Sequence, residues 1–128
     1  MRITRPYVAV VDDEEPVRIA LGRLLRLGDY EVDSFPSGEE FLASLATRRP
    51  ACVILDIQLP GLSGFDVRTS LREAGEDIPI VFITANEHLE LTPAASDGGA
   101  VRLLQKPFSN AKLLEAIGAA LQREPFES

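Results

Sequence analysis

Two hydrophobic periodicities alternate along the chain. Short apolar runs occupy positions 6–12, 30–35, 51–56, 79–84 and 100–104. The runs Tyr7-Val8-Ala9-Val10-Val11, Cys52-Val53-Ile54-Leu55 and Ile80-Val81-Phe82-Ile83 are continuous, as expected of strands buried on both faces. The run at 30–35 is interrupted by Glu31, Asp33 and Ser34, an alternation that suits a strand near a sheet edge. Between the runs, apolar residues fall at helical spacing. Val17, Ala20, Leu21, Leu24 and Leu25 define a first helix, with Pro16 suited to its first turn. Phe41, Leu42 and Leu45 define a second. Phe65, Val67 and Leu71 define a third, opened by Ser63 with Asp66 three residues on and stopped near Gly75. Leu113, Leu114, Ile117 and Leu121 define a last helix, opened by Ser109. The stretch 86–98 carries little helical pattern and contains Pro93, which predicts a short, distorted or mobile helix.

Strand and helix thus alternate five times. One α/β domain satisfies that order: a five-stranded parallel sheet, helices on both faces, right-handed crossovers. The length of 128 residues fits a single domain over 1–128, with no internal repeat or linker. Ligands in such sheets bind beyond the carboxyl ends of the strands.

Charge and composition narrow the classes. A formal charge of −7 argues against a broad nucleic-acid surface. The single cysteine forms no internal disulfide, which points to a reducing, cytoplasmic setting. The first six residues lack the apolar segment of a signal peptide, and no apolar stretch approaches the roughly 18 residues of a membrane helix.

Polar groups sit where the strands end. Asp12-Asp13 follow the first run, Asp56 ends the third, Thr84 the fourth, and Lys106 follows the fifth. Each alone has a plain structural account: a turn, a helix cap, a β-branched strand end, a solvated lysine. Together they predict three carboxylates, a hydroxyl and an ammonium in one pocket. Two carboxylates about 4 Å apart repel by on the order of 4 kcal/mol at an effective dielectric near 20. A hard dication relieves this, and an all-oxygen set suits Mg²⁺ rather than zinc. Asp56 is then the candidate to accept a phosphoryl group as an aspartyl phosphate. Lys106 and Thr84 would neutralise phosphoryl oxygens beside the metal. Cys52 reads as a core residue, His88 as solvent-facing, and Glu14-Glu15 as a first-turn acidic pair.

Four stretches stand out: Val10-Val11-Asp12-Asp13-Glu14-Glu15-Pro16-Val17-Arg18, Leu55-Asp56-Ile57-Gln58-Leu59-Pro60-Gly61-Leu62-Ser63-Gly64, Phe82-Ile83-Thr84-Ala85 and Lys106-Pro107-Phe108. Together they resemble the receiver domain of two-component response regulators, and their wording is similar to the FixJ-like branch. The resemblance spans about 6–122 and implies a flavodoxin-like (βα)5 fold. It implies that Asp56 is the phosphoacceptor. Asp13, Asp56 and the backbone carbonyl of Gln58 would bind Mg²⁺, with Asp12 acting largely through water. Thr84 and Lys106 would contact the phosphoryl group. The implied donor is a sensor histidine kinase or a histidine phosphotransfer protein. The face over 86–122 would meet a second copy or an output partner, and no output domain is expected within the chain. One departure stands out. Three residues before the lysine the family usually carries Tyr or Phe, and here the residue is Leu103. Two alternatives stay open: a degenerate receiver that binds without phosphorylation, and a small phosphatase using an aspartyl phosphate. The second lacks the further acid such enzymes set where Gln58 stands.

Overall fold

Each apolar run becomes a strand in a computed structural model that describes residues 5–86, 88–90 and 101–122. They are β1 (Tyr7–Val11), β2 (Glu31–Phe35), β3 (Cys52–Asp56), β4 (Ile80–Thr84) and β5 (Val101–Gln105). Pro6 and Pro79 fall just outside β1 and β4. Proline has no N–H to give a ladder, but both carbonyls accept bonds, from Glu31 N at 2.9 Å and Val53 N at 3.0 Å. The fifth strand runs one residue past the expected end, because Gln105 pairs with Thr84.

All four strand pairings are parallel, in the order β2-β1-β3-β4-β5. The interrupted run is an edge strand, as its alternation predicts. β1, β3 and β4 are buried along their whole length. Their alternate residues feed two separate cores. On one face Ala9, Val11, Leu55 and Phe82 pack with Phe41, Val67 and Leu71. On the other Val8, Val10, Ile54 and Ile83 pack with Leu21, Leu25, Leu113 and Ile117. A strand that must be apolar on both sides shows no alternation, hence the continuous runs.

The helices follow their signals. α1 (Glu15–Leu27) carries Pro16 in its first turn. Glu14 sits one position earlier than expected, as an N-cap whose side chain makes no capping bond. α2 (Gly38–Ser44) is capped by Ser37, whose hydroxyl accepts from Glu40 N at 3.1 Å. α3 (Gly64–Glu73) has the full capping box: Ser63 Oγ accepts from Asp66 N at 3.1 Å, and Asp66 Oδ2 from Ser63 N at 3.0 Å. Gly75, at φ +73°, follows its C-cap. α4 (Asn110–Leu121) is capped by Ser109. Of the weak helical stretch 86–98, the described residues Asn86 and His88–Glu90 carry no helix, and the rest lies outside the described residues. Among the described residues no helix is long and apolar enough to cross a membrane.

Candidate functional site

The strand order creates a reversal between β1 and β3: the chain leaves β1 outward to β2 and returns on the other side as β3. A crevice opens beyond the carboxyl ends at such a reversal. Asp12 and Asp56 stand on its two sides.

Each strand-end side chain first organises its own turn. Asp12 Oδ1 accepts from Glu14 N at 2.9 Å, Asp56 Oδ1 from Gln58 N at 3.0 Å, and Thr84 Oγ1 from Asn86 N at 3.0 Å. This is the turn chemistry expected of Asx and Thr side chains. It also aims the remaining carboxylate oxygens at the crevice. Asp12 and Thr84 are buried, Asp56 is 6% exposed, and Asp13 lies open to solvent. The structure thus gives Asp12 and Asp56 both roles at once: each forms its turn, and their carboxylates converge.

Ligand oxygens of Asp12, Asp13 and Asp56 lie within 4.8 Å of one another. Lys106 closes the cluster, with Nζ 3.6 Å from both Asp12 Oδ2 and Asp56 Oδ2. Its backbone is anchored by its N–H donating to Thr84 O at 2.7 Å, and the Lys106–Pro107 peptide is cis. Asp12 Oδ2 is buried yet has no hydrogen-bond partner among the described residues. A buried carboxylate oxygen without a donor is costly unless a cation completes it. Carboxylate oxygens with room for retained water are what Mg²⁺ takes, so the donor set fits that ion.

Electrostatics agree with the crowding. The Asp56 carboxyl is pushed up to about 6, chiefly by burial. The neighbouring Asp12 charge pushes the same way, while the Gln58 N–H and Lys106 pull it back. Gln58 itself is exposed and joins the site through its N–H.

The loop after Asp56 folds back on the strand through Gly64, whose N donates to Ile57 O at 2.9 Å. A Cβ there would lie 2.7 Å from Asp56 O and 2.8 Å from Ile57 Cα. Only glycine permits that approach. Gly61, at φ +75°, makes the turn between them. Glu39 of α2 reaches the same loop, its Oε2 accepting from Leu62 N at 3.4 Å.

Two residues near the site escaped the sequence pattern. Arg18 of α1 donates from Nη1 to Asp12 O at 2.7 Å. Its signal was its place six residues beyond Asp12, one turn into the helix. Glu39 had no signal, because its contact is with a loop 23 residues away. The residues expected to play no part stay apart. Cys52 is fully buried, and burial pushes its thiol up to about 12. His88 is exposed. Elsewhere on the surface, Arg48 pairs with Glu31 and lies 4.0 Å over the Tyr7 ring, and Arg49 Nε is 2.8 Å from Glu76 Oε1. Leu103 is half-buried, opposite Phe82 in the ladder and packed on its core.

Comparison with known proteins gives this geometry its family. A family model described as the response regulator receiver domain matches residues 8–118. Nodulation protein W of Bradyrhizobium diazoefficiens is 41% identical over 121 residues, which cover 94% of this chain and 53% of the relative. Response regulator protein TodT of Pseudomonas putida is 38% identical over 118 residues, covering 92% and 52%. The chain thus spans about half the length of these curated relatives. Among solved structures, FixJ-N aligns with a TM-score of 0.83 and 30% identity, over 98% of this chain and 100% of its own. Response regulator protein TrrA of Thermotoga maritima, solved in complex with Mg²⁺ and BeF, aligns with a TM-score of 0.78 and 32% identity, covering 90% and 98%. With its parallel five-stranded sheet and its acidic crevice, this chain belongs to the receiver-domain family of two-component response regulators.

Proposed function

We propose that Asp56 is the phosphoacceptor of a Mg²⁺-dependent switch. The observation that carries this reading is the convergence of Asp12, Asp13 and Asp56 oxygens within 4.8 Å, with Lys106 Nζ 3.6 Å from two of the carboxylates. Asp13, Asp56 and the Gln58 carbonyl would hold Mg²⁺, with Asp12 supporting it largely through water. When bound, the ion supplies a charge that draws the carboxylates together and neutralises phosphoryl oxygen. In the transfer, an Asp56 carboxylate oxygen bonds to phosphorus as the bond from phosphorus to a donor histidine nitrogen breaks. That nitrogen keeps the electron pair. Lys106 balances charge on the phosphoryl oxygens, and the Thr84 hydroxyl turns from Asn86 N to bond one of them. The chain is a signalling domain that catalyses its own phosphoryl transfer and dephosphorylation at Asp56.

The donor is a sensor histidine kinase or a histidine phosphotransfer protein, in a cytoplasmic setting. The chain acts as one receiver domain, and its face over 86–122 meets a second copy or an output partner. TrrA, of similar sequence, is a response regulator solved with Mg²⁺ and BeF, which favours the same ligands here. The complete acidic set speaks against a receiver that binds without phosphorylation.

Incubation with radiolabelled acetyl phosphate and Mg²⁺ tests the reading. The wild-type chain should take up label, and Asp56→Asn or removal of Mg²⁺ with EDTA should abolish uptake. Undiminished label in Asp56→Asn would overturn the assignment.

A further inference from the structure

We infer that Arg18 is a positioning residue for the metal-binding turn: its guanidinium holds the Asp12–Asp13 peptide in the orientation that Mg²⁺ binding requires. This rests on the Mg²⁺ reading of the acidic crevice. The turn between β1 and α1 carries two adjacent carboxylates that repel each other and Asp56. Something must hold it in place when no cation does. Three bonds converge on Asp12. Its N donates to Phe35 O at 3.1 Å, its Oδ1 accepts from Glu14 N at 2.9 Å, and its carbonyl accepts from Arg18 Nη1 at 2.7 Å.

The third bond differs in kind. The Val17 and Arg18 amides both bond to Glu14 O and are not available to Asp12 O. Helical side chains lean toward the N-terminus, which brings the Arg18 side chain back over the turn. The bond is charge-assisted and shorter than the two around it. It fixes the peptide plane that leads directly into Asp13, the exposed acid of the site. It also sets a permanent cation on the Asp12 main-chain carbonyl, whereas Lys106 Nζ approaches the same residue at its side-chain Oδ2.

The test is Mg²⁺ affinity, read by calorimetry with MgCl₂ on the whole chain. Arg18→Ala should weaken Mg²⁺ binding about tenfold, the size of a lost part-buried charge-assisted bond. The rate of acetyl phosphate labelling at saturating Mg²⁺ should stay near wild type, because the residue acts on the metal's turn and not on phosphorus. Arg18→Lys should bind Mg²⁺ more tightly than Arg18→Gln, and this pair serves if the alanine protein does not fold. Arg23→Ala, an exposed arginine on the same helix, should leave the affinity unchanged. Wild-type Mg²⁺ affinity in Arg18→Ala or Arg18→Gln overturns the positioning role, even if melting temperature falls. So does equal weakening by Arg23→Ala, which would reduce the effect to net charge. A wild-type chain that binds no Mg²⁺ overturns the site reading itself, and the positioning role with it.

Discussion

Burial holds the Asp56 carboxyl near 6, against an ordinary value of 3.8. Between those values the metal-free fold binds the proton more tightly than the unfolded chain does. A raised carboxyl pKa therefore works against stability as the group ionises: its contribution is favourable at low pH and is lost as pH rises from about 4 to about 6. The metal-free protein at pH 7 thus carries a destabilising charge at Asp56. Asp56→Asn should raise the melting temperature in EDTA at pH 7 by a few degrees, on the order of 1 kcal/mol. The gap between variant and wild type should close toward pH 4. Thermal unfolding at the two pH values checks both, and a variant no more stable than wild type at pH 7 would count against the crowding. The same proton would compete with metal, so Mg²⁺ affinity of the wild-type chain should fall as pH drops below about 6, which calorimetry at about pH 5 and pH 7 checks.

At the scale of elements, the short segment between β3 and α3 decides how Asp56 is held. Asp56 ends the strand, Gln58 N ties its carboxylate, Gly61 turns the chain, and the Ser63–Asp66 box starts the helix. Gly64 seals this by packing against the Asp56 carbonyl, closer than any side chain allows. Gly64→Ala should cost about 1–3 kcal/mol, because the atoms it meets are backbone and do not rotate away. It should also weaken Mg²⁺ binding, since relief of the clash moves the Asp56 backbone. Denaturant unfolding and calorimetry on the one variant measure the two effects, and full Mg²⁺ affinity beside a lowered midpoint would show strand and helix shifting as separate units. The helix starts were readable in advance at Ser63 and Ser109, because a cap is chemistry between near neighbours. Ser37 caps α2 in the same way, but its helix is seven residues long and gave too little periodicity to mark its start.

At the scale of the molecule, the proposed Mg²⁺ site would couple ligand to fold. Mg²⁺ would bind the assembled carboxylates, which the unfolded chain does not hold together. Saturation at about 100 times the dissociation constant should therefore stabilise the protein by about 2.7 kcal/mol. A rising melting temperature with added MgCl₂ is the expected result for wild type. Asp13→Ala should lose that rise while remaining folded, because Asp13 is exposed and supports no core. A full Mg²⁺-induced rise in that variant would remove Asp13 from the metal site. Leu103 belongs to this scale too. Packed on the Phe82 core, it has no ring to turn, so any signal leaving Thr84 must travel by a route other than an aromatic rotation at that position.

Much of this was settled by local order along the chain. Continuous apolar runs identify strands buried on both faces, and the interrupted run at 30–35 identifies one edge strand, because burial on two faces, one or none leaves a pattern within five residues. The polar groups that end those runs, Asp12, Asp13, Asp56, Thr84 and Lys106, follow from the rule that parallel sheets bind ligands at their carboxyl ends. What only the tertiary structure decided are contacts between residues far apart in the chain. The order β2-β1-β3-β4-β5 puts Asp12 beside Asp56. Lys106 comes within 3.6 Å of both, Asp12 Oδ2 is left buried without a donor, and Glu39 meets Leu62 N. None of these leaves a periodic trace. Periodicity reports which face of an element is buried, whereas a site is made by the angles and distances at which separate elements meet.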